Sequence, residues 1–219
     1  MLSSLRDRLR QAVSQIPFAF PPALEILEED GFLLTRLLEG FARRFELSEE
    51  TLSCVGFVFE LVRTTLTVHA RVSREHATGE EKFFENDKLA ILAGDDLFTR
   101  ALAEIPKIGN PALEAKVHLS ITEACRAHLL DSLGNASEAG PILAGVLMVP
   151  ALVRNGETRA NSADLSTMAE VARTYAARNG GEVGGGEWLT PFFSKNISPF
   201  AKEILEVFKK EALHGTPLR

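Results

Sequence analysis

The segment from residue 49 to residue 76 most strongly limits the folds that this chain can adopt. Its largely apolar stripe recurs at intervals of three and four positions, the spacing that places side chains on one face of an α-helix. The stripe comprises Leu52, Val55, Gly56, Phe59, Val62, Leu66 and His69. Ser48 is the expected N-cap, and Glu49 and Glu50 occupy the first turn, where the helix dipole favours anions. Helices of this length usually run through the centre of a bundle, so we predict a central core helix.

The rest of the chain also has helical rather than strand periodicity. Apolar and polar residues rarely alternate over four or more positions, and no Asn-Gly or Asp-Gly turn joins two such runs. Cap and breaker residues predict further helices at about 2–15, 22–29, 32–45, 86–105, 111–133, 137–153, 163–178 and 199–213. We therefore predict an all-α fold, a single helical bundle with short connections.

A glycine-rich stretch over residues 180–186 is the clearest linker in the sequence. It divides the chain into a helical bundle over residues 1–179 and a segment over residues 180–219. This second segment holds the glycine-rich linker and a C-terminal helix, which we expect to pack on the same domain.

Composition restricts the partners and the compartment of the protein. Lys and Arg number 24 and Asp and Glu number 30, for a net charge of −6, so no basic surplus favours nucleic acid as a partner. Two cysteines, Cys54 and Cys125, fit a reducing cytosol rather than a disulfide framework, and we expect a cytoplasmic protein. The longest apolar run, over residues 141–153, is shorter than the roughly 20 residues of a membrane-spanning helix. We expect no membrane span.

Two blocks of sequence carry more specific information. The first, over residues 60–74, is ELVRTTLTVHARVSR, and the second, over residues 88–102, is KLAILAGDDLFTRAL. They align without gaps with blocks that typically run ELIHTASLIHDDVVD and KLAVLAGDFLLSRAL in the trans-type isoprenyl diphosphate synthases, or polyprenyl synthetases. On these blocks the chain resembles that family, and the resemblance fades beyond residue 110. The matched scaffold positions include Glu60, Leu61, Thr64, His69, Val72, Gly94, Asp95 and Arg100.

The resemblance implies a bundle of the isoprenoid synthase type, truncated or divergent at the C-terminus, but the metal ligands of the family are replaced. In the family, three aspartates of the first block bind magnesium ions that bridge the substrate's diphosphate. This chain has Ala70, Arg71 and Arg74 at those positions, and no aspartate follows Asp164 to form the family's second aspartate motif. Magnesium requires oxygen ligands, so we expect no metal and no cofactor. Prenyl transfer by this chain alone is then not expected, because nothing neutralises the departing diphosphate.

The resemblance also indicates a role for a chain of this kind. The family includes heterodimeric long-chain synthases, in which a small subunit without aspartate motifs accompanies a catalytic subunit. We therefore expect a non-catalytic regulatory or structural subunit of a heteromeric polyprenyl diphosphate synthase, in isoprenoid (quinone side-chain) biosynthesis. The expected partner is a catalytic homologue or a second copy of this chain. The alternatives are a stand-alone binder of a prenyl diphosphate or other amphipathic ligand, and a prenyltransferase-like enzyme with altered chemistry.

The C-terminal end of the long helix is the candidate anion site. Arginine matches phosphate oxygens well, so Arg71 and Arg74 are candidate ligands for a diphosphate, with His69 and His76 nearby. The alternative is a solvated helix end, in which Arg71 pairs with Glu75 four residues later. No well-spaced third ligand accompanies the two histidines, so we expect no metal there.

The adjacent acidic residues Asp95 and Asp96 are not expected to form a paired site. Consecutive residues on a helix point about 100° apart, so the two carboxylates do not converge. We expect Asp95 to form hydrogen bonds buried within the helical bundle.

Overall fold

The computed structural model describes residues 2–16, 21–29, 32–76, 84–131, 139–153, 161–177 and 184–213, and every regular element in these ranges is helical. The α-helices are α1 (Leu2–Ser14), α2 (Pro21–Glu29), α3 (Leu33–Phe45), α4 (Glu49–His76), α5 (Phe84–Glu104), α6 (Pro111–Asp131), α7 (Ala139–Val153), α8 (Ser162–Ala177), α9 (Thr190–Phe193) and α10 (Pro199–Leu213). Short 3-10 helices span Ile105–Ile108 and Gly184–Leu189. The predicted all-α helical bundle is confirmed, whereas its assignment to the isoprenoid synthase type stays a prediction.

Helix α4 is the central element, as its periodicity predicted. Helices α1, α2, α3, α5, α6 and α7 all pack against it. The apolar side chains of its predicted stripe are buried, among them Val55, Phe59 and Val62 with no exposed surface. The Ser48 hydroxyl accepts a hydrogen bond from the Thr51 amide at 3.4 Å and so caps the first turn.

The remaining helices complete the bundle around this core. Helix α7 packs between α6 and α8, and α10 packs against α3. Helices α8 and α10 meet at their N-termini through Asp164, which has no exposed surface. One of its carboxylate oxygens accepts the Ser198 amide at 2.8 Å, and the other accepts the Ser198 hydroxyl at 2.7 Å and the Asn161 amide at 3.1 Å. One carboxylate thus connects the starts of two helices that are distant in sequence.

The glycine-rich stretch, predicted as a linker, is described only in its last three residues. Residues 184–186 begin the 3-10 helix, and residues 180–183 lie outside the described residues. The helix carries Trp188 into an aromatic cluster, with ring centroids 6.2 Å from Phe192 and 6.2 Å from Phe208. Burial of aromatic surface therefore orders a segment whose glycines disfavour regular structure.

Helix α7 approaches its neighbours closely at Gly145. A Cβ atom there would lie 2.6 Å from Ser120 Oγ and 2.7 Å from Phe59 Cζ, whereas one at Gly140 would meet only ordinary contacts at 3.6 Å or more. The missing side chain at position 145 thus allows α4, α6 and α7 to pack closely.

We predict opposite outcomes for the same substitution at these two positions of α7. Gly145→Ala forces neighbours apart, whereas Gly140→Ala gains helix propensity without overlap, so the former should be less stable by about 1–3 kcal/mol. Urea denaturation of both variants measures the free energy of unfolding. Equal values would contradict the close packing at Gly145.

Candidate functional site

The two family-like blocks lie on α4 and α5, which pack directly against each other. The helices run antiparallel, since Thr65 on α4 donates a hydrogen bond to the Gly94 carbonyl at 3.2 Å while Cys54 lies beside Glu104. The His69 ring covers Gly94 so closely that any Cβ there would overlap it. The structure therefore brings three of the predicted scaffold residues, His69, Gly94 and Asp95, together at one helix–helix contact.

Glu60, another matched position, is a fully buried carboxylate with a structural role. It accepts hydrogen bonds from the Thr35 amide at 3.1 Å, the Thr35 hydroxyl at 3.0 Å and Arg63 Nε at 3.2 Å. Thr35 is the third residue of α3, and that helix starts after Phe32, which has a positive φ of 59° and provides no side-chain cap. Glu60 thus caps α3 from another helix.

Arg63 extends this contact to α2. Its guanidinium donates to the carbonyls of Leu27 at 3.1 Å and Ile26 at 3.4 Å, in the last turns of that helix. The matched Thr64 is also buried, and its hydroxyl donates to the Glu60 carbonyl at 2.8 Å. Glu60 and Arg63 therefore hold α2, α3 and α4 together, a role that the sequence alone did not reveal.

The prediction that Asp95 forms buried hydrogen bonds is wrong. Its side chain is 67% exposed rather than buried, and Oδ1 lies 3.7 Å from His69 Nε2. Gly94 occupies the position that faces α4, so Asp95 lies at the exposed edge of this contact, beside the His69 ring. The neighbouring Asp96 accepts a hydrogen bond from Arg100 Nε at 2.7 Å.

Arg100 has a helix-capping role similar to that of Arg63. Its terminal nitrogens donate to the carbonyls of Ala12 at 3.4 Å and Gln15 at 3.3 Å, at the C-terminal end of α1. The matched arginine therefore joins α5 to α1.

Ala70, Arg71 and Arg74, which align with the aspartates of the resembled family, lie towards the C-terminal end of α4. Ala70 is partly buried, whereas the side chains of Arg71, Arg74 and His76 lie outside the described residues, so the anion site stays a prediction. Across the described ranges, no three His, Cys, Asp or Glu side chains lie close enough to hold a metal ion. Alanine and arginine, the residue types at these aligned positions, offer no oxygen ligands to magnesium from their side chains.

A buried charged cluster was not predicted from the sequence. Glu104, whose side chain is only 6% exposed, pairs with Arg8 and with Lys107 Nζ at 2.9 Å, and accepts the Cys54 thiol at 3.5 Å. The Arg8 guanidinium also lies over the Phe57 ring, 4.1 Å from its centroid. The sequence could have indicated only the pair Glu104 and Lys107, which lie three residues apart. Arg8 and Cys54 come from distant parts of the chain.

The electrostatics of this cluster favour a structural role. Burial raises the pKa of the Cys54 thiol, and the nearby Glu104 charge raises it further, so this thiol is not an activated nucleophile. Burial alone would raise the pKa of Glu104, but the hydrogen bonds from Arg8 and Lys107 outweigh it and the net shift is downward.

One segment in the described part of the chain, Glu49–Ala70, is long and apolar enough to cross a membrane by length and composition. Within its most apolar window, 78% is buried inside the bundle. Core helices meet the same criteria, so this segment does not establish a membrane span.

Comparison with models of known protein families and with curated proteins finds no match to this chain. The family resemblance therefore rests on the two blocks and on the residues within them.

We predict energetic coupling between His69 and Gly94. Gly94→Ala displaces the His69 ring, whereas in a His69→Ala background the new methyl group has room. The coupling in the free energy of unfolding should be about 1–2 kcal/mol, measured by urea denaturation of the four proteins of the double-mutant cycle. Gly140→Ala, combined with His69→Ala, is the distant control. Effects of Gly94→Ala and His69→Ala that add within about 0.5 kcal/mol would contradict the contact.

We predict that Glu104 makes stability depend on pH. Its pKa is lower in the folded state than in the unfolded state, so its contribution is present above the unfolded pKa and is lost as pH falls through the folded value. Glu104→Gln should lower the free energy of unfolding by about 1–3 kcal/mol near pH 7. This difference from wild type should shrink as pH falls towards about pH 3.

Thermal unfolding between these pH values measures this difference. Glu28→Gln is the matched control, because Glu28 forms an exposed pair with Arg10 and should contribute less than about 1 kcal/mol. A Glu104→Gln effect that does not change with pH would refute the assignment.

Proposed function

We propose that this protein is a non-catalytic regulatory or structural subunit of a heteromeric polyprenyl diphosphate synthase, in isoprenoid biosynthesis. The contact of the two family-like blocks carries the proposal: His69 packs on Gly94, and Thr65 bonds to the Gly94 carbonyl. Next to this contact stands Ala70, where the family has a metal-binding aspartate. The combination of a retained scaffold with lost metal ligands supports a subunit that no longer performs the reaction itself.

The outer face of α5 supports the proposal that this chain binds a partner subunit. Ile91, Leu92 and Leu102 are 45%, 48% and 37% exposed there, and exposed aliphatic groups that share a helix face are typical of protein interfaces. Lys88 and Asp95 lie on the same face seven residues apart, and both are exposed. We propose that the catalytic subunit binds this face with a helix that covers the aliphatic side chains and pairs with the two charges.

The division of labour in such a complex follows from the chemistry. The departing diphosphate must be neutralised, and in this family magnesium ions on aspartates do so. The catalytic subunit would supply both aspartate motifs, and this chain would supply helical surface that shapes the product channel. Changes in its interface should then alter product length rather than the chemical step.

The first test is recovery of the tagged chain from the cells that naturally produce it. We expect a protein with both aspartate-rich motifs to co-purify at close to one-to-one stoichiometry, and the purified pair to make prenyl diphosphates whose length changes when this chain is omitted. Recovery as a monomer or homodimer, with no complex at micromolar concentrations of an active synthase, would overturn the proposal.

Interface variants make the test specific. Leu92→Glu, alone or with Ile91→Glu, places a charge in the proposed contact and should weaken the complex by at least about tenfold. Leu24→Glu is the control, since Leu24 on α2 is 37% exposed away from this face. Equal weakening by both substitutions would place the interface elsewhere.

A further inference from the structure

A groove between α6, α7 and α8 has the features of a ligand site, and nothing in the proposed function uses it. Its volume is about 340 Å³, within the range of small-molecule sites. Its apolar lining comes mainly from Leu119, Pro141, Ala144, Met148 and Ala169. Leu119 is 50% exposed, so a ligand in the groove would bury apolar surface that is now in water.

The lining of the groove has one more positively charged side chain than negatively charged ones. Lys116 on α6 and Arg173 on α8 both line it, and neither has an ion-pair partner among the residues that the structure describes. Glu123, two turns along α6 from Lys116, is the one acidic residue of the lining, so the local net charge is +1. Burial lowers the pKa of Lys116, and Glu123 opposes this shift only in part. A bound anion would compensate this partly desolvated ammonium group.

The larger groove between α3 and α10, about 620 Å³ in volume, lacks such an apolar lining. Its arginines are already paired, Arg43 with Glu211 at 3.0 Å and Arg44 with Glu203 at 3.1 Å. Its lining is mostly charged, with Val207 as the one large apolar side chain. It has no apolar floor on which a hydrocarbon chain could lie.

We propose that the α6–α7–α8 groove binds a free single-chain monoanionic amphiphile, of the long-chain fatty acid class. The hydrocarbon chain lies on the floor formed by Ala144 and Met148, the carboxylate pairs with Lys116, whose ammonium group is partly desolvated, and Arg173 adds a second positive charge to the lining. A monoanion matches the net charge of +1, whereas a diphosphate would bring surplus negative charge beside Glu123. The site is separate from the replaced aspartate motif and from the outer face of α5.

Calorimetric titration with laurate, below its critical micelle concentration, tests the proposal on the full chain. We expect saturable one-to-one binding, and about tenfold weaker binding for Lys116→Gln and for Arg173→Gln, as for loss of a charged hydrogen bond. Ala144→Leu, which fills the groove, should weaken binding at least as much. Lys202→Gln on α10 is the matched control and should leave the affinity unchanged.

Two control ligands separate the contribution of the hydrocarbon chain to the affinity from that of the carboxylate. Dodecyltrimethylammonium has the same chain with the opposite charge, and acetate has the carboxylate alone; we expect neither to bind comparably. Equal affinity for the cationic amphiphile, or laurate binding that is unchanged in both charge variants, would overturn the proposal. Binding to anionic lipid vesicles without binding to monomeric laurate would also overturn it, in favour of a membrane surface. None of these results depends on the synthase subunit, so the two proposals can fail independently.

Discussion

The arrangement of α2, α3 and α4 depends on one buried carboxylate, that of Glu60. A carboxylate without exposed surface is costly unless its oxygens are satisfied, and here Thr35 and Arg63 satisfy them. The same bonds supply the start of α3 with a cap that its own sequence lacks, and Arg63 then reaches the end of α2. The central helix therefore positions its neighbours through directed polar contacts as well as through apolar packing.

This arrangement recurs throughout the bundle. Arg100 of α5 bonds to the end of α1, Asp164 joins the starts of α8 and α10, and the Asn110 side chain reaches the Leu152 carbonyl near the end of α7. Helix termini expose unpaired backbone groups, and a side chain from a second helix can satisfy them only in one relative position. These contacts therefore fix where helices lie along one another, which interchangeable aliphatic contacts specify less strictly.

Contacts between residues close in sequence could be predicted from the sequence, whereas contacts between residues far apart in the chain could not. Asn110 and Ser198 cap α6 and α10 through amides three residues later, and a cap with such near neighbours can be recognised from sequence. The role of Glu60 depends on Thr35, 25 residues away, and the order of residues 184–189 depends on the burial of Trp188. Asp95 was misassigned because its orientation follows from the contact of Gly94 with His69. The groove lined by Lys116 and Arg173 exists only once α6 and α8 are assembled.

The pairing of α3 with α10 has a consequence for synthesis of the protein. Phe45 packs against Phe200, with ring centroids 5.1 Å apart, although about 150 residues separate them in the chain. At roughly 5–20 residues per second, about 10–30 s pass on the ribosome before α10 can cover this face of α3. Nascent chains therefore expose phenylalanine side chains for much of translation, a period in which chaperone binding would protect them from aggregation.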